Sequence, residues 1–292
     1  MNYLSVCLHK LWLRIYIPLL YHDKKQRKTV LKQKTTALEK SYLSRYLPAL
    51  QNNLQMSETT NKTIFICWLQ GMDNAPEVVK KCYESVRRHC KNYKIAVITQ
   101  DNMADYVTFP DYIIKKHQNG IISNTHFSDL LRVALLAKHG GVWLDATVFL
   151  TAPLPAEITE SDFFAYHIRN SFVGSNSWLL QSKADHPLLV NMQNLLWAYW
   201  MNENKLLNYF LYHIFFDLMI ESNQQCADLW RKTPVIYDEC YKLEANFFTP
   251  YSAKLWQQIN NETHIHKLSY KYKKQPLENS FLQAFLAGKL GD

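Results

Sequence analysis

Glycine is scarce in this chain, seven residues in 292, yet two of the seven stand together at the head of "GGVWLDATV", residues 140–148. Other absences narrow the field. The six cysteines form no C-x-x-C pair and no zinc-like spacing, and several sit inside apolar runs such as "IFICW". They read as reduced thiols in a cytosolic protein. No uninterrupted apolar run reaches the length that spans a bilayer, and there is no internal repeat or low-complexity block. Acidic residues are nearly missing from residues 1–60, which hold ten Lys/Arg against three acids, whereas residues 61–292 hold 23 against 22. The bulk of the chain is close to neutral, which argues against a nucleic-acid-binding core.

What is present suits a globular protein with a binding cleft. At 48% hydrophobic, with 18 Tyr, 14 Phe and 8 Trp, the chain can bury one sizeable core. Residues 1–60 read as a basic, amphipathic helical extension and residues 61–292 as the main domain. The stretch "MNYLSVCLHKLWLRIYIPLLYH" is interrupted by His9, Lys10 and Arg14, and no small-residue cleavage site follows, so a signal peptide is not expected. Six basic residues follow within 24–34. Two readings stay open: peripheral contact with an anionic membrane surface through residues 1–34, or a solvated basic helix whose apolar stripe packs on the main domain. The expected location is cytoplasmic, with the inner face of the membrane as the peripheral option.

After the polar linker "QNNLQMSETTNK" (51–62), "TIFICW" reads as a buried strand. Asn74 is placed to cap a helix through "EVVKKCYESVRRHC" with Pro76 in its first turn, and "YKIAVITQDN" is a second strand. This order predicts a parallel α/β sheet. "NTHFSDLLRVALLAKHGG" is the clearest helix, with Asn124 or Thr125 as its cap and Gly140 as its stop. "VWLDATVFL" follows as one strand. "HPLLVNMQNLLWAYW" and "NKLLNYFLYHIFFDLMI" read as helices, the second with Tyr209, His213 and Asp217 on one polar ridge. His213 there is either a satisfied core histidine or a group for acceptor contact and proton handling.

In an open α/β sheet, ligands bind at the carboxyl ends of the strands, where Asp145 falls. Asp129 and Arg132 lie one helical turn apart on the preceding helix and share a face. Each feature alone has an ordinary explanation: a surface ion pair, a turn former, a helix cap. Together, "HFSDLLRVALLAKHGGVWLDATVFLTAPLP" resembles the S-D-x-L-R…G-G-x-x-x-D-x-D region of glycosyltransferases with the GT-A fold, including the glycosyltransferase 32 group. The nearest likeness is to the capsular polysaccharide synthesis protein family, which typically reads D-A-T there. "FICWLQGMDNAPEVVKKCYESVRRHC", "NYFLYHIFFD" and "HKLSYK" are similar to that family too, so the resemblance covers roughly residues 61–275.

The resemblance implies a GT-A-like, mostly parallel twisted sheet flanked by helices. It implies transfer of a hexose or related sugar from a nucleotide-sugar donor to a capsular or other surface polysaccharide, or to a lipid-linked glycan, with retention of configuration. Trp68 and Gln70 would sit near the nucleotide base. Asp129 and Arg132 would hold the donor sugar's hydroxyls, and Asp145 would face the ribose and any metal shell. Lys267 and Lys271 match the basic residues of the family's tail. Thr147 stands where D-x-D has its second acid, and a neutral hydroxyl is a poor ligand for a hard cation. The need for a divalent cation, Mn or Mg, is therefore open. In the tail "HIHKLSYKYKK", His264 and His266 could complete such a site, with Asp145 and His266 as its ligands, or contact the diphosphate directly. Two rivals remain. "VWLDATVF" superficially resembles the first motif of haloacid-dehalogenase-like phosphatases, but Thr147 removes the general acid that chemistry requires. A non-catalytic nucleotide-sugar binder or assembly protein would also tolerate the missing acid.

Overall fold

The computed structural model describes residues 2–169, 174–272 and 277–290. Lys273 and Lys274 of the basic tail lie outside the described residues. Among the described residues seven strands form two sheets: β1 (Thr63–Cys67), β2 (Lys94–Ile98), β3 (Gly141–Leu144), β4 (Val148–Leu150), β5 (Phe163–His167), β6 (Ser175–Ser182) and β7 (Ile265–Lys267). The larger sheet has the order β2-β1-β3-β6-β5. β1 pairs in parallel with β2 and β3, while β6 runs antiparallel to both β3 and β5. Four of the five strands thus point the same way, and the sheet is mostly parallel, as the sequence order predicts. β1 and β3 are apolar because helices cover them: Ile64, Phe65, Ile66, Val142, Trp143 and Leu144 are all buried.

The helix Asn124–His139 lies against this sheet and buries ten of its sixteen residues, among them Phe127, Leu130, Leu131 and Leu135. Its cap is Ser123, whose Oγ accepts from the His126 amide; the expected caps Asn124 and Thr125 are already helical. The helix ends where the two glycines take positive φ, +63° and +93°. A Cβ on Gly140 would sit 2.6 Å from the Ala184 nitrogen, and one on Gly141 2.6 Å from the Thr63 carbonyl oxygen. Both positions therefore require glycine for space as well as for conformation.

Three expectations need correction. "VWLDATVFL" is not one strand: it breaks at Asp145–Thr147, where the Val148 amide donates to the Asp145 carbonyl in a tight turn. β3 stays in the large sheet, and β4 pairs antiparallel with β7 in a second sheet. Helix Leu211–Ser222 starts seven residues later than "NKLLNYFLYHIFFDLMI" suggests, because Asn208 turns the chain and its Oδ1 accepts from the Phe210 amide. Tyr209 is thus off the helix, and the predicted ridge with His213 and Asp217 does not exist. Asn74 ends a short 3₁₀ turn, and Pro76 occupies the cap of helix Glu77–His89.

Residues 1–60 form the helices Tyr3–Leu20 and Lys24–Leu43 and a short 3₁₀ segment, Ser44–Ala49. Tyr42, Leu43 and Tyr46 enter the same core cluster as Tyr199 and Phe215. The Tyr42 and Tyr46 hydroxyls donate to Glu203 Oε1. Glu39 is fully buried; Lys10 pairs with its Oε1, and the Asn208 side-chain amide donates to Oε2 at 2.7 Å. These contacts pack the two N-terminal helices onto the rest of the chain.

Candidate active site at the carboxyl edge of the sheet

The break after Leu144 places Asp145 at the carboxyl edge of β3. Its backbone is held by the Asp145 amide, which donates to the Trp178 carbonyl at 2.8 Å. Its Oδ1 accepts from Trp143 Nε1 at 3.0 Å and from Arg132 Nη2 at 3.2 Å. Helix Asn124–His139 delivers the guanidinium. Arg132 Nη1 lies 3.2 Å from Asp129 Oδ1, and it also donates to the Ser177 carbonyl at 2.9 Å and to Ser177 Oγ at 2.6 Å. Nη2 donates further to Ser128 Oγ at 3.3 Å. The guanidinium stacks 5.1 Å from the Trp143 ring. Burial pulls the Arg132 pKa down, but the Asp145 and Asp129 carboxylates outweigh it, and the net direction is up.

β7 delivers a second cation. Its register sets Val148 opposite Lys267, and Lys267 Nζ donates to Thr147 Oγ1 at 2.6 Å while lying 3.5 Å from Asp145 Oδ2. Side-chain exposure falls from 25% at Asp145 to 16% at Lys267 and 6% at Arg132, so the carboxylate is the most accessible group of the edge. The structure therefore brings together Asp129, Arg132, Asp145 and Lys267, with two positive and two negative charges at one edge.

The other candidates divide. Trp68 follows β1 at the same edge of the sheet, its ring 5.3 Å from that of Tyr270, and Lys271 Nζ lies 5.3 Å from the Tyr270 ring. Gln70 is exposed in the turn after β1, and its carbonyl accepts from the Asn74 side chain. His213 feels the Asp129 and Arg132 charges; burial pushes its pKa down to about 4, and its Nδ1 has no hydrogen-bond partner. His264 is turned to Thr151, its Nδ1 3.1 Å from the hydroxyl.

His266 is not brought to Asp145. Alternation along β7 turns it away from Lys267, onto Phe149 and Trp256, where it is fully buried and its pKa is pushed down to about 3. Among the described residues no three His, Cys, Asp or Glu side chains are grouped to hold a metal ion. The oxygen that would replace the second acid, Thr147 Oγ1, is occupied by an ammonium. This donor set does not fit a divalent cation, and the expected metal pair Asp145–His266 is corrected on that ground.

Cys67 closes β1 near this edge, and burial raises its thiol to about 12, so it carries no thiolate for covalent chemistry. Sequence reasoning missed Trp143, Ser128 and Ser177. Trp143 had a signal, since it precedes Asp145 by two and shares its strand face. Ser128 had one too, at i−4 from Arg132. Ser177 had none, because only the β3–β6 register, Leu144 opposite Leu179, brings it in.

These features define an α/β protein whose sheet edge carries two oriented carboxylates, a buried guanidinium and a half-buried ammonium. The sequence model of the capsular polysaccharide synthesis proteins matches residues 15–285, and the chain belongs to that family. It is 24% identical over 125 residues to the uncharacterized glycosyltransferase L373 of Acanthamoeba polyphaga mimivirus, covering 41% of this chain and 49% of that protein. It is 29% identical over 101 residues to the O-glycosyltransferase braB of Annulohypoxylon truncatum, covering 32% and 24%. The chain thus matches about half the length of one relative and about a quarter of the other. Among solved structures, the PaToxG glycosyltransferase superposes with a TM-score of 0.39 at 12% identity, over 70% of this chain and 84% of that one.

Proposed function

We propose that the chain is a glycosyltransferase with a GT-A-like site, moving a hexose or related sugar from a nucleotide-sugar donor to a capsular or other surface polysaccharide. The observation that carries this reading is the convergence of Asp129, Arg132, Asp145 and Lys267 at the carboxyl edge. In such a transfer the bond from the anomeric carbon to the diphosphate breaks, and the acceptor oxygen bonds to that carbon. The acceptor proton leaves with the diphosphate. Positive charge develops on the sugar while negative charge develops on the leaving group.

Each residue then has a role. The outward oxygens of Asp145 and Asp129 bind ribose and sugar hydroxyls. Arg132, whose amino groups are engaged by protein acceptors, is a positioning residue that fixes both carboxylates. Lys267 faces the diphosphate and supplies the charge that a metal ion supplies elsewhere, so donor binding proceeds with a chelator present. Trp68, Tyr270 and Lys271 flank the nucleotide, and Gln70 sits at the rim. Same-face departure and attack retain configuration and need no protein nucleophile.

The test is a screen of nucleotide sugars for thermal stabilisation, with Mn²⁺ and with EDTA, followed by turnover assays with glycan acceptors. Transfer or donor hydrolysis lost in Asp129→Ala, Arg132→Ala and Asp145→Ala supports the reading. Donor binding without turnover, across acceptors and metals, overturns it in favour of a nucleotide-sugar-binding assembly protein. For His213, replacement by Ala and by Gln separates proton handling from packing: lost turnover with normal folding and donor binding assigns it to the acceptor side.

A further inference from the structure

The helix Tyr3–Leu20 has two apolar faces, and the fold uses one. Val6, Leu13 and Ile17 turn inward and are buried. Leu4, Leu8, Leu11, Trp12, Ile15 and Leu19 recur at spacings of three and four, form a stripe on the other side, and are each at least 50% exposed. Trp12 stacks on Tyr16 at 4.4 Å, making an aromatic plate within that face. Six large apolar side chains in one stripe form a patch of the kind soluble surfaces avoid unless something covers it.

The charge beside the patch says what covers it. The helix Lys24–Leu43 follows after three residues, and its first turns carry Lys24, Lys25, Lys28 and Lys34, all exposed. Residues 1–38 contain eight Lys/Arg and a single acid, Asp23, whose carboxylate caps this helix and accepts from the Gln26 amide. A protein partner would have to supply acids opposite a surface that has almost none of its own, and a second copy would bring the same basic residues. An apolar stripe with a neighbouring cation cluster is complementary to a layer that is apolar inside and anionic at its surface. No described helix is long and apolar enough to cross a membrane.

We infer that the helix Tyr3–Leu20 lies in the interface of an anionic phospholipid bilayer, with the lysines of Lys24–Leu43 on the headgroups. This helix and the one after it are packed on the rest of the chain by Lys10 donating to the Leu207 carbonyl at 3.2 Å, by the Asn208 amide on Glu39 and by the Tyr42 and Tyr46 bonds to Glu203. Membrane contact is therefore rigidly coupled to the sheet and its edge.

Sedimentation of the full chain with vesicles of phosphatidylcholine, with and without phosphatidylglycerol, tests this. Binding is expected only to the anionic vesicles, falling as salt rises. The double variant Leu11→Ser, Ile15→Ser alters exposed positions and should fold normally while losing the vesicles. Lys24→Gln with Lys25→Gln and Lys28→Gln should weaken binding by roughly tenfold or more. Absence of binding to anionic vesicles at low salt overturns the inference. So does a dimer in solution that the Leu11→Ser, Ile15→Ser variant dissolves while vesicle binding is unchanged, which would assign the face to a second copy.

Discussion

Two places in this molecule bury charge, and they do so to opposite ends. At Glu39 the carboxylate is wholly enclosed, both oxygens are engaged by Lys10 and Asn208, and nothing is left for a ligand. At the carboxyl edge the cation Arg132 is enclosed instead, and it fixes two carboxylates whose side chains stay partly exposed. Satisfied groups in the first place hold two helices together. In the second, the satisfied group is scaffolding and the partly free groups face solvent. Enclosure of the centre with exposure of the rim separates this edge from the structural clasp at Glu39, although both are networks of ion pairs.

The largest expected effect sharpens that contrast. Asp145→Asn keeps the shape and the bond from Trp143 but removes the charge; turnover per folded molecule should fall by about 100-fold or more, beyond the stability lost by weakening the Arg132 pair. Full activity in Asp145→Asn, measured with the donor that stabilises the protein, would break the distinction. Glu39→Ala should do the reverse, costing about 2 kcal/mol in chemical denaturation while turnover per folded molecule is preserved. The partial exposure of Lys10 keeps this figure below that of a fully enclosed pair.

The smallest effect concerns two histidines that burial keeps neutral. His266 and His186 have folded-state pKa values pushed down by burial, to about 3 and about 4. On acidification the unfolded chain takes up their protons first, near pH 6.5, and the folded protein resists. Their contribution is thus present above pH 6.5 and is lost as pH falls toward 4. His266→Gln should narrow the difference in unfolding free energy between pH 7 and pH 4.5 by about 1–2 kcal/mol. An unchanged difference would mean that His266 takes up a proton within the folded protein.

Much of this was legible in residue order. The strand–helix–strand run from Thr63 to Ile98 and the helix Asn124–His139 follow from apolar periodicity and glycine placement. The spacing of Asp129 and Arg132 on that helix predicts a shared face, and the structure has it. The break at Asp145–Thr147 was not legible, because residues 142–144 and 148–150 are apolar and strand-like on both sides of it. What interrupts it is pairing with β7, more than a hundred residues further on. The same distance hid the opposite orientations of His266 and Lys267, since alternation tells neighbours apart but not which one faces Asp145. The late start of helix Leu211–Ser222 depends on the side chain of Asn208, where propensity alone favours continuing the helix.

The bond from Lys267 to Thr147 joins residues 120 positions apart. Asp129, Arg132 and Asp145 precede Lys267 by more than a hundred residues, and the ammonium reaches them only when β7 pairs with β4. Without Lys267 the edge holds two carboxylates against one guanidinium and is net negative. The charge balance of the edge thus depends on a long-range pairing, so loss of the β4–β7 sheet would undo it without disturbing the large sheet that carries Asp145.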